Sequence, residues 1–305
     1  MPLQKRTCLQ CRRRMVSVSM IKKRWKDRSD GTYIRDIDPM HKIIPYLLPR
    51  RTDSEVFLTK SVDVTRLLEY VSERKAVEGN NVSLFSSIIA AMVRTSAIRP
   101  ALNRFVKGYR FYQRNDLIIG FVSKEDYGDD SASHLVNVTF DPGDDIFQVS
   151  EKVYGKVNAS RRGDSTGTDS AVDRMANKPR WLLRTAMRFL RFLDFHGWVP
   201  KSIIKDDPNF ASVFVSNMGS IKCGAPIHHL NEWGTNSLFL CIGEKYDKVV
   251  PFEGGFAVRP HIDFAFTVDE RIAEGVYFAR SIDVFTRFLE DPSALEEKFR
   301  GDNPA

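Results

Sequence analysis

The chain has 305 residues, 42% of them apolar and 28% charged, and 21 are Phe. That length buries a large core without staples, and the composition is that of a globular protein with broad packed sheets. No apolar run reaches the roughly 20 residues of a membrane span, and four Cys give no disulfide framework.

The net charge of +7 is concentrated at one end. Residues 1–30 hold ten bases against Asp27 and Asp30, a balance of +8, so the other 275 residues sum to −1. Residues 1–35 read as a basic, solvated leader. Nucleic acid or an anionic membrane would be its charge-matched partners, but neither contact is expected of residues 1–30. Cys8 and Cys11 have CxxC spacing, yet no second CxxC or paired His completes a zinc site, so no metal is expected. No apolar stretch long enough for a secretory signal follows the bases, and the expected compartment is the cytoplasm.

Residues 36–300 read as one domain. Val64, Leu67, Leu68 and Val71 share a helical face that Gly79 ends. Ser83 can cap a second helix, closed by Pro100. Lys107-Gly108 is a hairpin turn signal. Leu117–Val122 and Leu135–Phe140 read as strands, and Asp145 can cap a further helix. Residues 161–173 are a polar loop inside a helical insertion spanning 158–205. Within it, residues 181–195 are apolar and aromatic, with five bases between 178 and 191. A basic amphipathic helix can lie on a membrane surface, whereas burial against the sheet or a subunit contact is the simpler expectation. Strands follow at 211–215, 237–243 and 261–268, then a helix over 275–290. The order of elements fits an α/β (α+β) two-layer sandwich with a mixed sheet flanked by helices, and not a doubly wound parallel sheet.

Five segments then carry a resemblance: Ser61-Val62-Asp63-Val64-Thr65, Pro100-Ala101-Leu102-Asn103, Ser216-Asn217-Met218-Gly219, Pro226-Ile227, and the turn Asp269-Glu270-Arg271-Ile272-Ala273-Glu274-Gly275. In this order, over roughly residues 40–297, they resemble the catalytic domain of the 2-oxo acid dehydrogenase acyltransferases. The likeness extends more distantly to chloramphenicol acetyltransferase. The closest likeness is to a stand-alone bacterial branch without a lipoyl domain. The family turn is His-x-x-x-Asp-Gly; here Glu270 stands at the His position and Glu274 at the Asp position.

The resemblance implies a CoA-dependent acyltransferase that assembles as a homotrimer, each active site lying in a channel between subunits. Coenzyme A or an acyl-CoA is the implied co-substrate, with no lipoyl attachment in this chain. Ser216 takes the oxyanion role, Glu270 stands where the base should be, and Glu274 replaces the orienting Asp. The implied acceptor is a small thiol or hydroxyl compound, or a lipoyl group borne by a partner.

Glu270 is chemically second-best as a base: a carboxylate near pKa 4.3 faces a thiol near 8.5, where imidazole near 6.5 halves the gap. A structural or ligand-orienting carboxylate is the competing reading, and with it a catalytically inactive trimeric homologue that binds or scaffolds. His228 or His229 can replace the lost base if one ring faces the channel. Read as a strand, that pair would point to opposite faces, leaving only one able to do so. Arg50 or Arg51 is expected to pair with the motif carboxylate, Arg271 is a possible partner for Glu270, and His261 is expected to face solvent.

Overall fold

A computed structural model describes residues 26–77, 79–124, 133–162 and 178–301 of the chain. Of the polar loop expected over 161–173, Arg161 instead ends a helix, and residues 163–173 lie outside the described residues, as does the CxxC pair.

Six strands form the main sheet: β2 (Glu55–Asp63), β5 (Leu117–Lys124), β6 (Ser133–Phe140), β7 (Val213–Asn217), β8 (Leu238–Phe252) and β9 (Gly255–Asp269). Their order is β2-β9-β8-β7-β5-β6. The central pairs β5–β7 and β7–β8 are parallel and the others antiparallel, so the sheet is mixed. A smaller sheet, β1-β4-β3, joins Gly31–Tyr33, Arg110–Arg114 and Arg104–Lys107. Gly108 and Tyr109 turn from β3 to β4 with φ of 57° and 60°, the left-handed pair that a two-residue hairpin needs.

Helices α2 (Thr65–Lys75), α3 (Leu84–Ile98), α4 (Ile146–Arg161) and α7 (Gly275–Glu290) cover one face of this sheet. Ser83 caps α3 and Asp145 caps α4, each in a reciprocal pair with the residue three positions on, which satisfies backbone donors at both helix starts. The alternation of β9 sends Ile262, Phe264, Phe266 and Val268 into this layer. There Phe285 of α7 meets Phe264 and Phe266 edge-on at 5.3 and 5.6 Å. The opposite face carries a smaller apolar set, Phe239, Cys241 and Ala265, under Leu230.

Three expectations change. Residues 26–35, assigned from composition to the leader, belong to the fold. Arg28 and Asp30 are buried, and β1 pairs with β4, because Arg28 finds two carboxylates in the interior. His261 is buried within β9 opposite Tyr246, its Nδ1 3.1 Å from the Arg259 carbonyl. The aromatic helix α5 (Arg180–His196) does not pack on the sheet: Trp181, Phe189, Phe192 and Phe195 are exposed. A short α1 (Pro39–Leu47) and a four-residue α6 (Lys201–Ile204) complete the helices among the described residues. No helix there is long and apolar enough to cross a membrane.

Candidate active site

The turn after β9 is built around Asp269, whose side chain is fully buried. Arg271 grips it with two bonds, Nε to Oδ1 at 2.8 Å and Nη2 to Oδ2 at 2.7 Å, and the Arg271 backbone N–H adds a third at 3.1 Å. The Ser54 hydroxyl donates to Oδ1 at 3.1 Å, and Arg51 Nε lies 3.8 Å from Oδ2. Arg271 also donates to the carbonyls of Leu48 and Pro49, at 3.0 and 3.3 Å, tying the turn to the end of α1. Arg271 is therefore the partner of Asp269, not of Glu270. Arg51 approaches the same carboxylate, while Arg50 is exposed and pairs with Asp53 at 2.9 Å.

This clamp leaves Glu270 on the outside of a one-turn 3-10 helix, exposed and with no ion pair or hydrogen bond to its carboxylate among the described residues. Glu274, the residue before α7, is also exposed, and among the described residues its carboxylate reaches only His41 Nε2, at 4.0 Å.

Ser216 lies on β7, facing the same side of the sheet as Phe214 and Cys241, with its hydroxyl 3.4 Å from Met218 Sδ. The motif's glycine has a steric reason. A Cβ on Gly219 would sit 2.5 Å from the Gly243 carbonyl oxygen, and one on Gly243 would sit 2.8 Å from the Ala225 nitrogen. The chain after Ser216 thus crosses β8 backbone to backbone, where the ladder slips between Ile242 and Lys245. Gly219→Ala is expected to lower stability by about 1–3 kcal/mol through overpacking, read as a drop in thermal midpoint; an unchanged midpoint would contradict this crossing.

His228 and His229 lie on an irregular segment between β7 and β8, not on a strand. Their rings stack on each other at 4.6 Å, and His228 stacks on Phe239 at 4.2 Å, which in turn stacks on Phe214. Both histidines are exposed. Ser216 is two residues beyond Phe214, one pleat repeat or about 7 Å along the same face. His228 thus lies over the face of the sheet that carries Ser216, through Phe239 and Phe214.

Glu270 does not lie there. Ser216 pairs with Cys241 on β8, whereas the Asp269 N–H donates to Ser237 at 3.0 Å. Four residues along β8 and two strand spacings separate the levels, about 16 Å in all.

The segment bearing the histidines is held from below by cations. Arg51 donates to the carbonyls of Asn231 and, at 3.1 Å, Gly234. Lys107 donates to those of Glu232 and Gly234, and Arg114 to Phe210 and Thr235. Burial lowers the pKa of Lys107 and Arg51 and brings that of Arg114 down to about 10. Beside them, Arg28 bridges Asp30 and Asp194. Burial opposes its charge, but the two carboxylates outweigh that and raise its pKa. For Asp30 burial favours the neutral acid, and Arg28 reverses the balance and lowers the pKa. Apart from Arg51, this buried layer is not legible as functional in the sequence, because its members come from four distant segments. The local hint is four bases spaced three or four residues apart along residues 104–114. Among the described residues no cluster of three or more His, Cys, Asp or Glu is placed to hold a metal ion.

The mixed six-stranded sheet with helices on one face is the architecture of the chloramphenicol acetyltransferase-like acyltransferase cores. The cubic core of the pyruvate dehydrogenase multienzyme complex matches over 86% of this chain and 93% of its own, at TM-score 0.58 and 14% identity. Dihydrolipoamide acetyltransferase from Azotobacter vinelandii, in which a serine, a histidine and an asparagine were investigated for their catalytic roles, matches over 86% and 94%, at 0.56 and 14%. A chloramphenicol acetyltransferase matches over 86% and 98%, at 0.50 and 11%. No protein-family model and no curated protein sequence matches the chain. At these identities the likeness establishes the fold.

Proposed function

We propose that the chain is a CoA-dependent acyltransferase whose active site is completed between subunits of a homotrimer. It would move an acyl group from a CoA thioester to a thiol or hydroxyl acceptor, diffusible or carried as a lipoyl group by a partner. The observation that carries this reading is the placement of Ser216 and Glu270. Both lie on a fold otherwise found in acyltransferase cores, yet they are about 16 Å apart within one chain. A neighbouring copy that brings its Glu270 turn to this chain's Ser216 would unite them and remove water from the exposed carboxylate.

In that channel a base takes the proton of the acceptor, whose sulfur or oxygen attacks the thioester carbonyl carbon. The Ser216 hydroxyl donates to the oxygen that becomes negative. The C–S bond then breaks, and the departing CoA thiolate recovers the proton. Glu270 is the base by position, and His228, over the same face of the sheet as Ser216, is the competing candidate. Glu274 would orient the turn.

The exposed, unpartnered Glu270 also favours a second reading, a trimer that has kept the fold and lost the chemistry. Titration of acetyl-CoA into the protein, followed by thiol release with candidate acceptors, separates the two. An enzyme binds near micromolar, loses on the order of 10²–10³ in kcat in Ser216→Ala, and loses on the order of 10²–10⁴ in Glu270→Gln or His228→Ala, whichever is the base. Absence of binding by both acetyl-CoA and free CoA sinks the enzyme reading in favour of the scaffold.

A further inference from the structure

We propose that α5 is an interfacial membrane helix, lying along the surface of an anionic lipid bilayer. The inference is independent of the acyltransferase reading. It rests on three features of residues 178–205.

The first is an apolar face that the fold leaves open. Trp181, Leu182, Phe189, Phe192 and Phe195 span an arc of about 140° around the helix axis at 100° per residue, and Trp181 is 69% exposed. Just past the helix, Trp198 is 62% exposed. Phe192 meets His196 at a tilt, 4.3 Å between centroids, and His196 stacks on Trp198 at 4.8 Å, making a continuous ridge. Phe195 extends that ridge through Tyr109, at 5.7 Å, to Tyr46 of α1, which stacks on Tyr109 at 4.8 Å. A contiguous exposed apolar surface of this extent marks a docking site and not ordinary scatter.

The second is that the face is held outward. Asp194, on the opposite side of the helix, is completely buried. Arg28 reaches its carboxylate at 3.0 Å and its carbonyl at 2.5 Å, and Lys107 Nζ lies 2.5 Å from the other carboxylate oxygen. The β3–β4 turn closes against the same end of the helix, where a Cβ on Gly108 would lie 2.5 Å from the Phe195 carbonyl oxygen. Gly197, at φ 76°, terminates the helix. With one side clamped in this way, the helix cannot roll its aromatic face into the protein.

The third is charge. Residues 178–205 carry seven Lys and Arg, and their single acid is the buried Asp194. Arg180, Arg184, Arg188 and Arg191 form a stripe along one edge of the aromatic face. A second copy of the chain docked face to face would set stripe against stripe with no exposed acid from this segment to neutralise it. An anionic bilayer answers both halves of the surface: headgroups meet the arginines while the rings enter the acyl boundary. The tryptophans at the two ends sit where membrane-surface proteins place that residue. At 17 residues the helix lies along the surface for about 25 Å.

The test is co-sedimentation of the full chain with vesicles of phosphatidylglycerol and phosphatidylcholine, against vesicles of phosphatidylcholine alone. Binding is expected only to the first, with a blue shift of tryptophan emission that is lost in Trp181→Phe/Trp198→Phe. Arg184→Gln/Arg188→Gln/Arg191→Gln is expected to weaken binding on the order of 100-fold, since each base near an anionic surface contributes about fivefold. Phe189→Ser/Phe192→Ser should also abolish binding while the bases remain. Three results overturn the proposal: equal binding to both vesicles or to neither, wild-type affinity in the arginine variant (which assigns any binding to the basic residues before 26), or a fall in mass by light scattering in Phe189→Ser/Phe192→Ser, which makes the face an interface between copies. If a variant fails to fold, quenching of wild-type tryptophan emission by brominated phosphatidylglycerol decides instead, and its absence refutes the inference.

Discussion

Asp269→Ala is expected to destabilise the protein by about 3–5 kcal/mol, the cost of removing one partner from a buried ion pair. The effect comes less from the lost bonds than from what stays behind. Arg51 and Arg271 are almost completely buried, and Asp269 is the carboxylate within 4 Å of both. The other hydrogen bonds of the two guanidinium groups go to neutral carbonyls of Leu48, Pro49, Asn231 and Gly234, which do not balance charge, and Glu232 and Asp194 act on Arg51 less strongly than Asp269 does. Denaturant unfolding checks this directly, as a lower midpoint at unchanged slope. Asp53→Ala is the control: it breaks an exposed pair with Arg50 and should leave the midpoint where it was. A loss below about 1 kcal/mol for Asp269→Ala would mean that the arginines find water or another anion.

Asp194→Ala should fall in the same range, about 3–5 kcal/mol, for a related reason. Its two oxygens face Arg28 and Lys107, and without them three neighbouring cations, counting Arg51, share the interior with Asp30 and Asp269. Here the effect is also directional. Asp194 is the tie between α5 and the body, so amide exchange in residues 180–196 should rise more than in α3 or α7. Uniform exchange across all three helices would show that the helix is held by something else. Because Arg51 interacts electrostatically with both carboxylates, the two substitutions should not be additive.

The parts of the fold that follow from local chemistry were legible in the residues. The last helix has the bounds that its apolar period indicated, Gly275–Glu290, and Ser83 and Asp145 cap the helices they were expected to cap. The strands β8 and β9 are about twice their expected length. Their outer halves pair Asp247 with Pro260 and Lys248 with Arg259, with solvent on both faces, so no buried face imposes alternation there.

The candidate site was legible as motifs and not as geometry. Nothing near His228 shows that its segment is held by Arg51, Lys107 and Arg114 in place of strand pairing, because those side chains lie more than a hundred residues away. Arg271 had two carboxylates within two residues, and only the turn of the backbone selects Asp269 over Glu270. The exposure of α5 could not be read either. An amphipathic helix has the same period whether its apolar face meets a core or the outside.

The five residues of β7 have a consequence for how the chain reaches this state. β5–β6 is one antiparallel pair close in sequence, and β8–β9 is another, a hairpin closed by Glu253 and Gly254. β7 is the strand that joins them, in parallel register with Ile119 on one side and Phe239 on the other. Ile119 and Val213 are about 94 positions apart, so the chain entropy of closing that loop must be met before the pairing returns anything. The two antiparallel pairs are joined into one sheet only through Val213–Asn217. The strand that must close that loop to unite the sheet and the strand that carries Ser216 are the same five residues.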